Sequence, residues 1–167
     1  HLAVRDGQEI VYVARFAART TVASSVQIGT RFPVHATVMG RMTICDLSDR
    51  DLSALFPREP LVAFSEQTPT TLIALKEILS KDRAAGYAVS QSYFERGVSS
   101  VAAPVRDVSG RIVAAINITA VDSHVQIEDM HEALRDAVLK ASAEIAGHSF
   151  GVEVEHVLRQ IPERHLA

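Results

Sequence analysis

A chain of 167 residues, 47% of them hydrophobic, with a formal net charge of −3, fits one globular domain, because about 150 residues bury roughly 70% of the surface the unfolded chain exposes. Aromatic content of 5% without any Trp argues against a base-stacking surface, and 17 Lys and Arg spread along the chain against 20 Asp and Glu leave no basic footprint for duplex DNA. Cys45, the single cysteine, rules out an internal disulfide and fits a reducing compartment, with the cytoplasm as the default, and no run approaches the ~18 apolar residues of a membrane helix.

The chain opens on His1 rather than Met, with no charged leader before an apolar run, and enters a strand-like segment at once; it reads as a fragment whose natural N-terminal part is missing. Asp6-Gly7 is a turn signal, and "EIVYVARFA" follows as a strand with Ile10, Tyr12, Ala14 and Phe16 on one face and Val11, Val13 and Arg15 on the other. "RTTVASSVQI" continues in β-favouring residues and is expected to pair beside it, "GTRFP" closing the unit. From about His35 to Asp46 the period becomes helical, with Val38, Met39, Met42 and Cys45 making a stripe that Ile44 broadens. A second short helix is capped by Ser48, with Asp51 completing a capping box. Thr70 or Thr71 caps the next, whose stripe is Leu72, Leu75, Ile78 and Leu79 and whose stop is Gly86.

Strand-like "YAVS" follows, then the polar loop "QSYFERG", then a hairpin from Ser99 to Ala120 with "DVSG" as its turn. Pro104 lacks an N–H to donate and belongs at an edge, a bulge or a ladder-free position. A closing amphipathic helix is expected from about Val125 to His148, with Ile127, Met130, Leu134, Val138, Ala141 and Ile145 as its buried stripe; the tail 149–167 has too weak a pattern for an element, with room for one helical turn before Pro162. An antiparallel hairpin bracketed by helices gives an α+β layer fold with a mainly antiparallel sheet.

On the second hairpin strand Arg111, Val113, Ala115, Asn117 and Thr119 share one face, and Ile112, Ala114, Ile116, Ile118 and Ala120 the other, which reads as core. Two readings of Asn117 and Thr119 stand. They reach the wet end of the strand or satisfy a loop, or they line a small-molecule pocket beside small Ala115, with Ser99 and Ser100 across the hairpin and Met39 and Met42 as adaptable walls. No nucleophile elbow, H-E-x-x-H, P-loop or dinucleotide fingerprint occurs, and Cys45 has an apolar helical setting, so no catalytic residue and no cofactor is expected. A small hydrolase or isomerase using Ser100 or Cys45 is the enzymatic alternative. His124, Glu128 and His131 have metal-compatible spacing that surface histidines explain more simply, so no metal is expected, and Arg15 is free to pair with a ligand carboxylate or an internal acid.

The words "FPVHATVMGRM" and "AAGYAVSQSYFERGVSSVAAPVRDVSGRIVAAINITA", with "DGQEIVYVAR" and the closing helix, resemble the effector-binding domain of IclR-type bacterial transcriptional regulators over residues 1–148. The resemblance implies a GAF-like/profilin-like sheet flanked by helices, a small organic or aromatic acid as effector, a homodimer or tetramer, and DNA contacted only through a winged helix-turn-helix domain preceding His1. It places the effector site at Val38, Met39, Ser90, Ser100, Asn117 and Thr119. Val38, Met39 and Arg41 stand where many members have small residues followed by Lys, which implies a narrower or more apolar cavity. "VYVARFAARTTVASSVQIGTRFP" is similar to regulators of protocatechuate and β-ketoadipate metabolism, which points to an aromatic or dicarboxylic acid. A free-standing GAF-like small-molecule-binding domain with no DNA-binding partner domain is the alternative.

Overall fold

A computed structural model of the chain describes residues 1–16, 26–91, 98–121 and 127–145. Its elements are β1 (Leu2–Asp6), β2 (Glu9–Ala14), β3 (Arg31–Pro33), α1 (Val38–Ile44), α2 (Asp49–Leu55), α3 (Leu72–Ala85), β4 (Ala88–Gln91), β5 (Val98–Arg106), β6 (Ile112–Val121) and α4 (Ile127–Ile145). The strands form one sheet in the order β3-β2-β1-β6-β5-β4, antiparallel at every joint. An N-terminal and a C-terminal hairpin are thus joined through β1 and β6, over the short register Leu2↔Ile116 and Ala3↔Ala115.

Local chemistry accounts for most boundaries. Gly7, at φ 60°, takes the left-handed turn between β1 and β2 that a Cβ would strain. Thr37 is extended and accepts the Gly40 N–H at 3.1 Å, so α1 begins at Val38, three residues later than the stripe alone suggests; His35 and Ala36 are spent in the turn before it. Ser48 accepts the Asp51 N–H and Thr71 the Ala74 N–H, while Gly86, at φ 79°, ends α3 in the left-handed region, all as the sequence predicts.

The N-terminal unit differs from expectation. Most of the strand predicted over 19–28 falls outside the described residues, and its last part is a turn, Gly29 N–H donating to the Tyr12 carbonyl at 2.8 Å. The strand beside β2 is Arg31–Pro33 instead, a short edge on which proline costs no ladder bond. β2 ends at Ala14, so Phe16 is exposed rather than packed. The polar loop 92–97, His124 and the tail 149–167 also lie outside the described residues. Of the stripe predicted for α4, Val138 is buried and Ala141 and Ile145 are half-buried.

The sheet has two covered faces. On one lie α1 and the larger core, with Val38, Met39, Met42, Leu75 and Leu79 against Ala3, Ile10, Tyr12, Ala88, Ala102 and Ala115. Val4, Val11, Val105 and Ala114, with Val101, Ala103 and Val138, fill the other face, beneath α4. Between Val105 and Arg106 the hairpin register slips, Val105 facing Ala114 and Arg106 facing Ile112. Val113 is the extra residue of a β-bulge, and it corrects the predicted alternation: Ile112 packs with the α1 core, while Val113 joins Ala114 on the α4 side. Pro104 sits past the end of β4, and its carbonyl, with no strand on that side, accepts the Ser142 hydroxyl at 2.6 Å. No helix among the described residues is long and apolar enough to cross a membrane.

Candidate functional site

Two rungs cross β4, β5 and β6 under α1. In one, Ala88, Ala102 and Asn117 stand opposite each other; in the next, Ser90, Ser100 and Thr119 do. Side chains alternate along a strand with period two, so both rungs point to the face that carries α1. The sequence-predicted residues Val38, Met39, Ser90, Ser100, Asn117 and Thr119 therefore share one face, the first two from the helix and the other four from the sheet. Ala88, Ala102 and Ala115 form a floor of small side chains below Val38, Met39 and Met42, so the helix and sheet approach each other on methyl groups.

That apolar floor ends in a chain of neutral hydrogen bonds. Ser100 Oγ and Thr119 Oγ1 are 2.9 Å apart, and Asn117 Nδ2 donates to Thr119 Oγ1 at 3.0 Å. Asn117 Oδ1 lies 3.0 Å from His1 Nδ1, and the Asn117 N–H donates to the His1 carbonyl at 3.0 Å, extending the β1–β6 ladder by one rung. Asn117 is 5% exposed whereas Thr119 is open to solvent, so the polar group grades from buried amide to wet hydroxyl along one strand. Ser90 is buried and hydrogen-bonded or otherwise engaged.

Sequence reasoning missed His1, Tyr12 and Phe32, which extend this end of the site across β1 to β3. His1 meets Tyr12 edge-on, with centroids 5.4 Å apart, and Tyr12 meets Phe32 in the same way at 5.7 Å. Burial pushes the Tyr12 hydroxyl up to about 12, so it stays a protonated donor. No local pattern reveals this group, because His1 and Asn117 are 116 positions apart and meet only through the β1–β6 joint. Arg15 lies just beyond β2.

The remaining polar anchors of α1 are ionic. Arg41 is 2% exposed; its Nε sits 2.9 Å from Asp82 Oδ2 on α3, and its Nη2 donates to the Val89 carbonyl on β4 at 2.9 Å. Burial raises the Asp82 carboxyl above its ordinary value, with Arg41 opposing the shift. Beyond α1, Asp46 pairs with Arg106 at 2.5 Å, and Arg83 Nε donates to the Cys45 carbonyl at 2.6 Å. The Cys45 thiol is pushed up to about 12, first by burial and then by the Asp46 charge, and donates to the Met42 carbonyl, which keeps it in the protonated form. Ser100 is bonded to Thr119 rather than to a base. Among the described residues no group of three His, Cys, Asp or Glu is placed to hold a metal.

A single six-stranded antiparallel sheet with helices on both faces defines an α+β fold. The chain belongs to the bacterial transcriptional regulator IclR C-terminal family, whose model matches residues 1–146. It is 32% identical over 145 residues to the HTH-type transcriptional regulator XynR of Escherichia coli K12, across 85% of this chain and 58% of that protein. To the Pca regulon regulatory protein of Pseudomonas putida it is 28% identical over 152 residues, across 90% of this chain and 52% of that protein. The inducer-binding domain of the PobR transcription factor from Acinetobacter, solved as a double mutant with 3-hydroxybenzoic acid, superposes with a TM-score of 0.77 at 25% identity, covering 86% of this chain and 85% of that one. The chain spans about half the length of the curated relatives it matches.

Proposed function

We propose that this chain is the effector-sensing and self-associating part of a cytoplasmic, DNA-binding regulator, and that Val38, Met39, Ser90, Ser100, Asn117 and Thr119 form its effector site. Residues 1–148 constitute the sensing domain, 149–167 a tail, and the DNA-reading winged helix precedes His1 in the complete, dimeric or tetrameric protein. The effector is a small organic acid, an aromatic acid before a dicarboxylic one. The observation that carries this reading is the alanine-floored wall under Val38 and Met39 that ends in buried Asn117 and the Ser100–Thr119 pair. A ligand carboxylate takes over the donors that Asn117 Nδ2 and the Ser100 and Thr119 hydroxyls now direct at each other.

Asn117 also holds His1 through main chain and side chain. An effector that recruits Asn117 therefore alters the contact at the start of β1, the strand that follows the DNA-binding part in this reading. Its leverage equals its affinity difference between the two arrangements, commonly about 1–3 kcal/mol.

A thermal-shift titration with 3-hydroxybenzoate, benzoate and succinate tests the assignment. A ligand at about 100 times its dissociation constant adds about 2.7 kcal/mol of stability. Asn117→Ala with Thr119→Ala should reduce that gain and leave a folded protein. An undiminished gain in the double variant would show that the ligand sits elsewhere.

A further inference from the structure

Beyond the far end of α1 a cleft of about 450 Å³ opens between the end of β1, the loop after α1 and the β5–β6 turn. That volume lies within the range of about 300–1,000 Å³ that small-molecule sites occupy. Arg5, Asp46, Leu47, Arg111, Ile112 and Val113 contribute to its wall. Ile112 lines the cleft from the α1 side of the sheet, while Val113, whose side chain packs on the α4 side, borders it at the bulge.

The charge of this wall is unbalanced. Asp46 is already held by Arg106 at 2.5 Å, with Arg83 4.0 Å away, and Arg106 chiefly keeps its carboxyl below the ordinary range. Asp107, on the turn, pairs with Arg111 at 3.0 Å and accepts the Ser109 hydroxyl. Among the described residues Arg5 has no carboxylate partner; its guanidinium meets the Gly7 carbonyl at 3.3 Å. Four guanidiniums therefore surround two carboxylates, and two of them, from Arg5 and Arg111, stand in the cleft wall beside Leu47, Ile112 and Val113. Guanidinium forks match a carboxylate in a bidentate way, and the adjoining aliphatic surface suits an apolar body.

We propose that this cleft is a second ligand site that takes a small organic anion, its carboxylate between Arg5 and Arg111 and its apolar part on Leu47 and Ile112. The site shares no residue with the effector site at the other end of α1, so each stands or falls alone.

Amide chemical shifts of the whole chain, followed while benzoate is added, read the two places separately. The amides of residues 109–113 and of Asp46 and Leu47 should titrate as one set. Arg5→Ala with Arg111→Ala, both exposed positions, should weaken that set by about tenfold or more and leave the Ser100, Asn117 and Thr119 amides responding as before. Arg5→Lys with Arg111→Lys, which keeps the charge but loses the fork, should fall between. Asn117→Ala with Thr119→Ala should leave the 109–113 set unchanged. Amides of 109–113 that stay still in benzoate, or that titrate equally well in the double alanine variant, would overturn the second site whatever the first one does.

Discussion

The two ends of α1 keep their polar groups in contrasting ways. At the front, Asn117, Thr119 and Ser100 form a neutral chain that is partly wet, and each bond of that kind contributes a net of only about 0.5–1.5 kcal/mol. In the middle and at the rear the helix is held by charge: Arg41 on Asp82 in the interior, Asp46 on Arg106 near the surface. A ligand can replace a neutral bond with one of its own at little cost. It cannot replace one member of a buried ion pair, because the other would stay desolvated and unpaired. The contrast teaches where this fold can exchange contacts and where it is fixed.

The most severe break is at the fixed point. Arg41→Ala should cost about 3–5 kcal/mol in denaturant unfolding, because Asp82 and the Val89 carbonyl lose their partner in a site from which water is excluded. Arg41→Met together with Asp82→Leu should recover most of that loss, since the charge and its unpaired partner vanish together. The pH response separates charge from packing. A carboxyl raised above its unfolded value favours the fold below the unfolded pKa, and that contribution disappears as pH rises through the folded pKa. Arg41→Met alone removes the opposing charge, so it should regain stability as pH is lowered from neutral toward the carboxylate range. A flat profile would mean that Asp82 is not the strained partner.

Gly40→Ala should come next, at about 3 kcal/mol. A Cβ at Gly40 would run into the main chain of Val34, and backbone cannot move aside as a flexible side chain can. The substitution lifts α1 from the sheet as a body, so it should weaken the neutral and the ionic end together. Loss of benzoate binding at only one end would show that the helix does not move as a unit.

How much of this was legible beforehand follows the distance over which each cause acts. The caps at Ser48 and Thr71, the stop at Gly86 and the turn at Asp107–Gly110 depend on neighbours within four residues, and the sequence displays them. The placing of Ser100, Asn117 and Thr119 on one face needed only strand periodicity and a hairpin register, whereas Ser90 came from the family resemblance and reaches that face through the β4–β5 pairing. Ile112 went to the wrong face because one extra residue in the ladder shifts everything on its far side, and nothing in "SGRIVAA" announces the bulge. Arg41 and Asp82 lie on two different helices, and only the packing of those helices against each other and against β4 turns the pair inward. His1 joined the site through a contact across almost the whole described chain.

At the exchangeable end the expected effects are smaller. Asn117→Ala without ligand should cost about 1 kcal/mol, since Thr119 and Ser100 retain each other and have access to water. A loss near that of Arg41→Ala would erase the distinction between the two ends.

The smallest effect is expected at Asp46, and its dependence on conditions makes it the finest test. The Arg106 guanidinium holds this carboxyl below its ordinary value of 3.8, so the pair contributes stability above that value and loses it as pH falls. Both partners are more than a third exposed, at 41% and 38%, so solvent screening limits the contribution to about 1 kcal/mol or less. The difference between the native chain and Asp46→Asn, measured by denaturant unfolding, should therefore be modest at neutral pH, shrink on acidification and shrink again in high salt. Arg41→Ala should change far less with salt, because no counterion reaches its site. If both differences screened alike, Arg41 and Asp82 would have to be in contact with water, and the fixed point of the helix would have to be sought elsewhere.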